Sequence, residues 1–322
     1  MSIDTQLQPF IDGLARAWPE PAITLGVQAW RERAEALAGA NRAAYPQGLS
    51  VEDLTIAGMS RSVTVRVYRP PAAEALPGLL YMHGGGWVVG SHETHDSITA
   101  AIAAHTPTVV ISVHYARAPE HPYPCAVEDC RAALEWVHAN AASLGIDRDS
   151  IFTGGDSAGG NLATVLAWLY RHDEHIRLRG QVLIYPCVDT DFHRPSYLTE
   201  ANAPFMTAKE MIWFWQQYCP DPAARLEPMA VPMRAGDYAG MPAALITVAE
   251  HDVLRDEGTE YAARLSEAGV SVSFRPGVGL IHGHLRATGM CQAAAREFEA
   301  VCDWSRSTAQ PSTNFLNLER NA

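Results

Sequence analysis

From Leu79 onward the sequence repeats a short apolar run, a glycine-bearing turn and a helical stretch, and this rhythm narrows the fold more than any other feature. The apolar runs at 79–82, 108–113, 151–153, 181–185, 244–249 and 270–274 have strand length. Helical periodicity separates most of them, notably over 126–142, 158–171 and 257–268. Strands that alternate with helices cannot pair as hairpins, so the expected fold class is α/β, a mostly parallel central sheet flanked by helices on both faces. Ahead of it, Val63, Val65 and Val67 alternate with Thr64, Arg66 and Tyr68, which predicts a half-buried antiparallel strand. The first fifty residues read as helices: Leu7, Phe10, Ile11 and Leu14 share one face, as do Val27, Trp30, Ala34 and Leu37. Between Cys187 and Pro242 the rhythm breaks into a proline-spotted loop with one aromatic helix over 208–218, which reads as an insertion. The residues after Gln310 look polar and loosely held.

Composition decides which partners such a fold can have. With 48% hydrophobic and 19% charged residues among 322, there is ample apolar side chain for a core, and disorder is excluded for most of the chain. Thirty-six acidic residues against 24 basic ones leave a net charge of −12, which repels nucleic-acid phosphates and anionic lipid surfaces. No apolar run approaches the ~18 residues that span a bilayer. The opening residues lack a basic and then apolar leader, and the six cysteines form no C-x-x-C pair, so a cytoplasmic protein with free thiols and no metal is expected.

Chemistry enters at Gly155-Asp156-Ser157-Ala158-Gly159, a G-x-S-x-G sequence lying between an apolar strand and a helix. In that setting a very tight turn pushes the serine Oγ out over a helix N-terminus, whose N–H groups receive developing negative charge. The bare pattern arises by chance in roughly one chain of this length in ten. His83-Gly84-Gly85-Gly86-Trp87, just after the strand at 79–82, is rarer by about two orders of magnitude on the same composition. Consecutive glycines let backbone N–H groups face a substrate oxygen without side-chain obstruction. A phosphate cradle is the rival reading, but no P-loop lysine and no G-x-G-x-x-G spacing accompany them.

A serine nucleophile needs a base, and the base needs a carboxylate to hold its tautomer. After a strand–turn–helix serine these follow in the order acid, then histidine. The acid should sit just past a late strand, where Asp252 leads Glu250 and Asp256; Asp256 suits a helix first turn better. The histidine should lie in a loop after the next strand, where His282 and His284 compete. His251 precedes that strand and reads as a structural neighbour of Asp252, and the remaining histidines, His92, His95, His105 and His138 among them, receive no role.

These residues resemble the hormone-sensitive-lipase family of α/β hydrolases, the bacterial carboxylesterases of the GDSAG type. The likeness runs from Val51 to about Trp304 and includes MHGGGWVVGSHETHD from Met82, APEHPYPCAVEDCRAALEWV from Ala118, GDSAGGN from Gly155, HDVLRDEG from His251 and GLIHGH from Gly279. The resemblance implies the α/β-hydrolase fold with a helical cap. It implies a triad of Ser157, Asp252 and His282, with Gly85, Gly86 and Ala158 as oxyanion donors. Residues 1–50 and the insertion 187–242 would form the cap, 51–186 and 243–305 the catalytic domain, and 306–322 a tail. Two departures stand out: His114 replaces the family's usual Asp with the neighbouring Arg shifted to Arg117, and His284 replaces the usual Phe after His-Gly.

The expected activity is hydrolysis of short- to medium-chain carboxylic esters through an acyl-enzyme, with no cofactor. Amide hydrolysis, acyl transfer and ligand binding without catalysis are the alternatives on the same scaffold. Trp87, Phe205 and Met206 are expected at the substrate, the last two bordering the acyl chain. On the helix over 208–218, Met211, Phe214, Trp215 and Tyr218 read as cap core. Trp213, on the polar face, should pack on the N-terminal helices or on a second subunit of a homodimer.

Overall fold

The computed structural model describes residues 2–309, so the polar stretch after Gln310 lies outside the described residues. Eight strands form one sheet: β1 (Ser50–Ala57), β2 (Ser62–Arg69), β3 (Leu76–Met82), β4 (Val109–His114), β5 (Ile146–Asp156), β6 (Leu178–Ile184), β7 (Ala243–Thr247) and β8 (Val272–Arg275). Their spatial order is β1-β2-β4-β3-β5-β6-β7-β8. β2 runs antiparallel to both β1 and β4, and every pairing from β4 to β8 is parallel. This is the α/β-hydrolase arrangement implied by the sequence. β1 is an addition to the expected strands; its half-exposed edge position leaves it without a clean apolar period.

The helices are α1 (Gln8–Ala17), α2 (Val27–Ala40), α3 (Asp96–His105), α4 (Cys125–Ala139), α5 (Ala141–Leu144), α6 (Ala158–Leu169), α7 (Pro195–Thr199), α8 (Ala208–Tyr218), α9 (Arg255–Glu267) and α10 (Gln292–Ala309). Neither α3 nor α10 was legible. In α3 alanines fall on every side and the polar Asp96 and Thr99 are buried with Ile98, Ala100, Ile102 and Ala103, so no apolar period marks one face. α3 also explains a correction at β2, whose polar alternates are not solvated. Arg66 is buried against Asp53 (2.7 Å) and Asp96 (3.0 Å), and the Tyr68 hydroxyl donates to Asp96 at 2.7 Å. α10 runs through Ala309, so residues 306–309 are helix and do not open a tail. No helix among the described residues is long and apolar enough to cross a membrane.

The N-terminal helices and the 187–242 insertion meet through aromatic rings. Trp213 of α8 stacks on Trp30 of α2 with ring centres 5.9 Å apart, and Phe214 lies 5.2 Å from the same Trp30. Trp213 therefore packs on the N-terminal helices, one of its two expected partners, and gives no reason to invoke a second subunit. Met211, Phe214, Trp215 and Tyr218 of α8 are buried, as expected of its apolar residues, and Phe214 shares the Trp30 contact with Trp213. A capping box sets the start of this helix: the Glu210 N–H donates to Thr207 Oγ1 while Thr207 N–H donates to the Glu210 carboxylate.

Candidate active site

The sheet topology brings the chemistry to the carboxyl ends of adjacent strands, where open α/β sheets place their sites. Ser157 follows β5 directly and precedes α6. Its N–H donates to Ile184 O of the neighbouring β6 (2.9 Å), while its carbonyl accepts from Cys187 and Asn161. These bonds hold a non-glycine residue at φ 56° and ψ −120°, a strained conformation that costs about 1–3 kcal/mol and aims Oγ out of the turn. The flanking glycine is required sterically: a Cβ on Gly159 would collide with the carbonyl of Met82 at the end of β3.

Asp252 lies in the loop after β7 and His282 in the loop after β8. A short parallel bridge between His251 and Ile281, with His251 N–H donating to Leu280 O at 2.9 Å, ties the two loops one residue away from both side chains. His282 Nδ1 then sits 2.6 Å from Asp252 Oδ2, and Nε2 sits 3.0 Å from Ser157 Oγ. The other Asp252 oxygen accepts from Leu254 N–H at 3.0 Å. Serine, imidazole and carboxylate are all buried, at 3%, 1% and 0% exposure, so the bonds that align them are shielded from competing water. Of the rival groups, Glu250 accepts from Gly279 N–H, Asp256 accepts from Ser196 N–H, and His251 faces Glu200 at 3.4 Å. None of these reaches the serine–imidazole pair.

β3 carries the glycine loop alongside β5, with Met82 in register with Gly155. Gly84 N–H is engaged by Asp156 Oδ1 at 3.0 Å, whereas the N–H groups of Gly85, Gly86 and Ala158 find no acceptor among the described residues. Gly86, at φ 58°, passes so close under the Phe214 ring of α8 that any Cβ there would strike it. Sequence reasoning gave Asp156 no task, yet it pins this loop. It also accepts from the Tyr81 hydroxyl at 2.8 Å and lies 3.3 Å from His95 Nε2, which Arg286 approaches at 2.9 Å. Burial opposes the charge of Asp156, but His95, Arg286 and Tyr81 outweigh it and hold the carboxyl well below the usual carboxylate range.

The three expected substrate-contacting side chains fare differently. Trp87 is wholly buried, stacked on Tyr218 (4.1 Å) and against Trp215 (4.6 Å), so it is a packing contact between the glycine loop and α8. Met206 is buried in the same core. Phe205 alone is substantially exposed, and its ring lies 6.0 Å from that of His282.

A metal reading finds little support in the donor set. Asp53, His92 and Glu93 converge, but Arg66 pairs with both carboxylates and Arg42 also pairs with Glu93.

Comparison with known proteins places this geometry. A model of the α/β-hydrolase fold family matches residues 79–286. The carboxylesterase NlhH of Mycobacterium tuberculosis is 40% identical over 253 residues, 77% of this chain and 79% of that protein. The chain is an α/β hydrolase of the hormone-sensitive-lipase family. A thermostable esterase from Pseudomonas putida superposes with a TM-score of 0.90 at 31% identity, covering 97% of this hydrolase and 99% of that chain. A hyperthermophilic esterase from Pyrobaculum calidifontis superposes at 0.89 with 37% identity, covering 96% and 99%.

Both departures of this hydrolase from the family pattern are imidazoles, His284 buried and His114 partly buried at the end of β4. His114 is pushed down to about 3 by burial, with Arg117 adding to the effect. Arg117, at its shifted position, donates to Gly90 O in the loop that follows the glycines. His284 is fully enclosed, with Nδ1 3.0 Å from Ile281 O and its ring edge-on to Tyr185; burial pushes it down to about 4. An imidazole neutral in the folded chain but protonated near pH 6.5 when unfolded costs stability in acid. Its contribution is complete above pH 6.5 and is lost as the pH falls toward 4, because the unfolded chain binds the proton first. His284→Phe should therefore lower the acid sensitivity by about 2 kcal/mol at pH 5. Melting temperatures of both proteins at pH 7.5 and pH 5 measure this; an equal drop in the two would refute it.

Proposed function

We propose that this chain is a serine carboxylesterase acting on short- to medium-chain esters. The observation that carries the reading is the His282 imidazole bonded at one nitrogen to Asp252 and at the other to Ser157 Oγ. Ser157 Oγ attacks the ester carbonyl as its proton passes to His282 Nε2. Asp252 stabilises the imidazolium so formed and keeps the ring from turning. The N–H groups of Gly85, Gly86 and Ala158, already fixed in place by the backbone, take the oxyanion with little reorganisation cost. His282 then gives its proton to the leaving alkoxide, and water, activated the same way, releases the acid from Ser157.

The rings of α2 and α8 close over the glycine loop and support a cap built from the first fifty residues and the insertion. An enclosed acyl pocket gains roughly 0.8 kcal/mol per methylene until it is full. Activity on p-nitrophenyl esters should thus peak between about four and eight acyl carbons, over which that increment has filled the pocket, and fall by dodecanoate. A profile still rising at hexadecanoate, or a rate jump above substrate solubility, would make the protein a lipase. Hydrolysis of anilides at rates rivalling esters would favour the amidase reading.

A further inference from the structure

Two aromatic rings neighbour the catalytic imidazole. Tyr185, which is buried, stands 4.5 Å from it, and Phe205 stands 6.0 Å from it, tilted by 32°. Phe205 is 39% exposed and sits at φ 74°, a left-handed conformation that an L residue keeps only when its surroundings demand it. Two contacts hold it there. Its ring rests on Gly283, where a Cβ would come within 2.7 Å of it, and it stacks on Phe10 of α1 at 6.2 Å and 27°. Phe10 is itself anchored among Leu7, Ala249 and Leu280. The two rings thus make a partly open aromatic surface beside His282.

Proton transfer says which half of the substrate meets that surface. His282 Nε2 must reach the leaving oxygen at about 2.6–3.2 Å to protonate it, so the alcohol group departs on the imidazole side. The acyl group is held by the bond to Ser157 and by the oxyanion donors on the glycine-loop side. We propose that Phe10 and Phe205 form the alcohol-side subsite and select esters whose alcohol carries an aromatic ring. The assignment rests on the serine esterase reading above, and it moves Phe205 from the acyl pocket, where the sequence suggested it, to the other half of the substrate. An aromatic ring on the alcohol, departing beside His282, comes within the 4.5–7 Å spacing at which such rings stack on Phe205, while a ring on the acyl side is held toward the glycine loop.

Two probes of similar size separate the halves: benzyl acetate carries the ring on the alcohol, and ethyl phenylacetate carries it on the acid. In Phe205→Ala, kcat/KM for benzyl acetate should fall about three- to tenfold further than for ethyl phenylacetate, the range one aromatic pair supplies. Phe205→Leu, which keeps apolar bulk without a ring, should show the same asymmetry in smaller measure, as should Phe10→Ala. A larger loss on ethyl phenylacetate would return Phe205 to the acyl pocket. Equal losses on both esters would reduce it to packing that supports His282, and no loss on either would remove it from the site; each result overturns the assignment. A wild-type protein that hydrolyses neither ester nor p-nitrophenyl butyrate would instead overturn the esterase reading itself.

Discussion

Ser157→Ala should lower kcat by roughly 10⁴- to 10⁶-fold while leaving the melting temperature within a few degrees of the parent. The loss is large because the covalent path disappears, whereas the oxyanion donors and the pocket remain and account for the residual rate. The fold should survive because the serine side chain makes a single hydrogen bond, to His282, and alanine suffers the positive φ no more than serine does. An organophosphonate should attach once per chain, at Ser157, and should not label the variant. Labelling at another residue with loss of activity, or a variant that keeps a tenth of the parent rate, would remove Ser157 from the nucleophile's place.

His282→Ala should be nearly as damaging, at about 10⁴-fold or more in kcat, whereas His284→Ala should cost less than about tenfold. Both imidazoles are buried and lie against Tyr185, so burial does not distinguish them. Geometry does. His282 spans Asp252 and Ser157, while the Nδ1 of His284 is taken by Ile281 O and its Nε2 has no partner among the described residues. Phosphonate labelling should slow in parallel with hydrolysis in His282→Ala, since the same proton must leave Ser157 in both reactions. Parallel loss with the order of severity reversed would make His284 the base.

The elbow was legible because its physics is local. Gly155 and Gly159 are where a strand and helix cross too closely for side chains, and the order of strand, turn and helix is written in adjacent residues. The loop His83–Trp87 was legible for the same reason. The acid and base were legible only to within a few positions: Asp252 competed with Glu250 and Asp256, and His282 with His284. Chain order and the family likeness favoured one of each, and the bridge between His251 and Ile281 is what sets the pair face to face.

Asp156 shows the opposite case. It was visible inside the motif, but its partners Tyr81 and His95 are 75 and 61 residues away, and Arg286 lies 191 residues from His95. No periodicity links such positions. Trp87 was expected at the substrate, and Phe205 with Met206 beside the acyl chain. Packing separated them: Trp87 is sealed by two rings of α8, and Phe205 is left half in the open by Gly283 and Phe10.

Alternating short apolar runs and helices determined by themselves an α/β sheet, since parallel strands need crossovers of that length. Two glycine-rich turns pointed to a candidate nucleophile and a candidate place for negative charge, since their conformations admit few other residues. The tertiary structure alone decided which carboxylate and imidazole meet the serine, which buried charge holds the glycine loop, and which ring lies open beside the imidazole. Those outcomes depend on distances between strands β3, β5, β7 and β8, and such distances come from packing the whole sheet, which no single segment encodes.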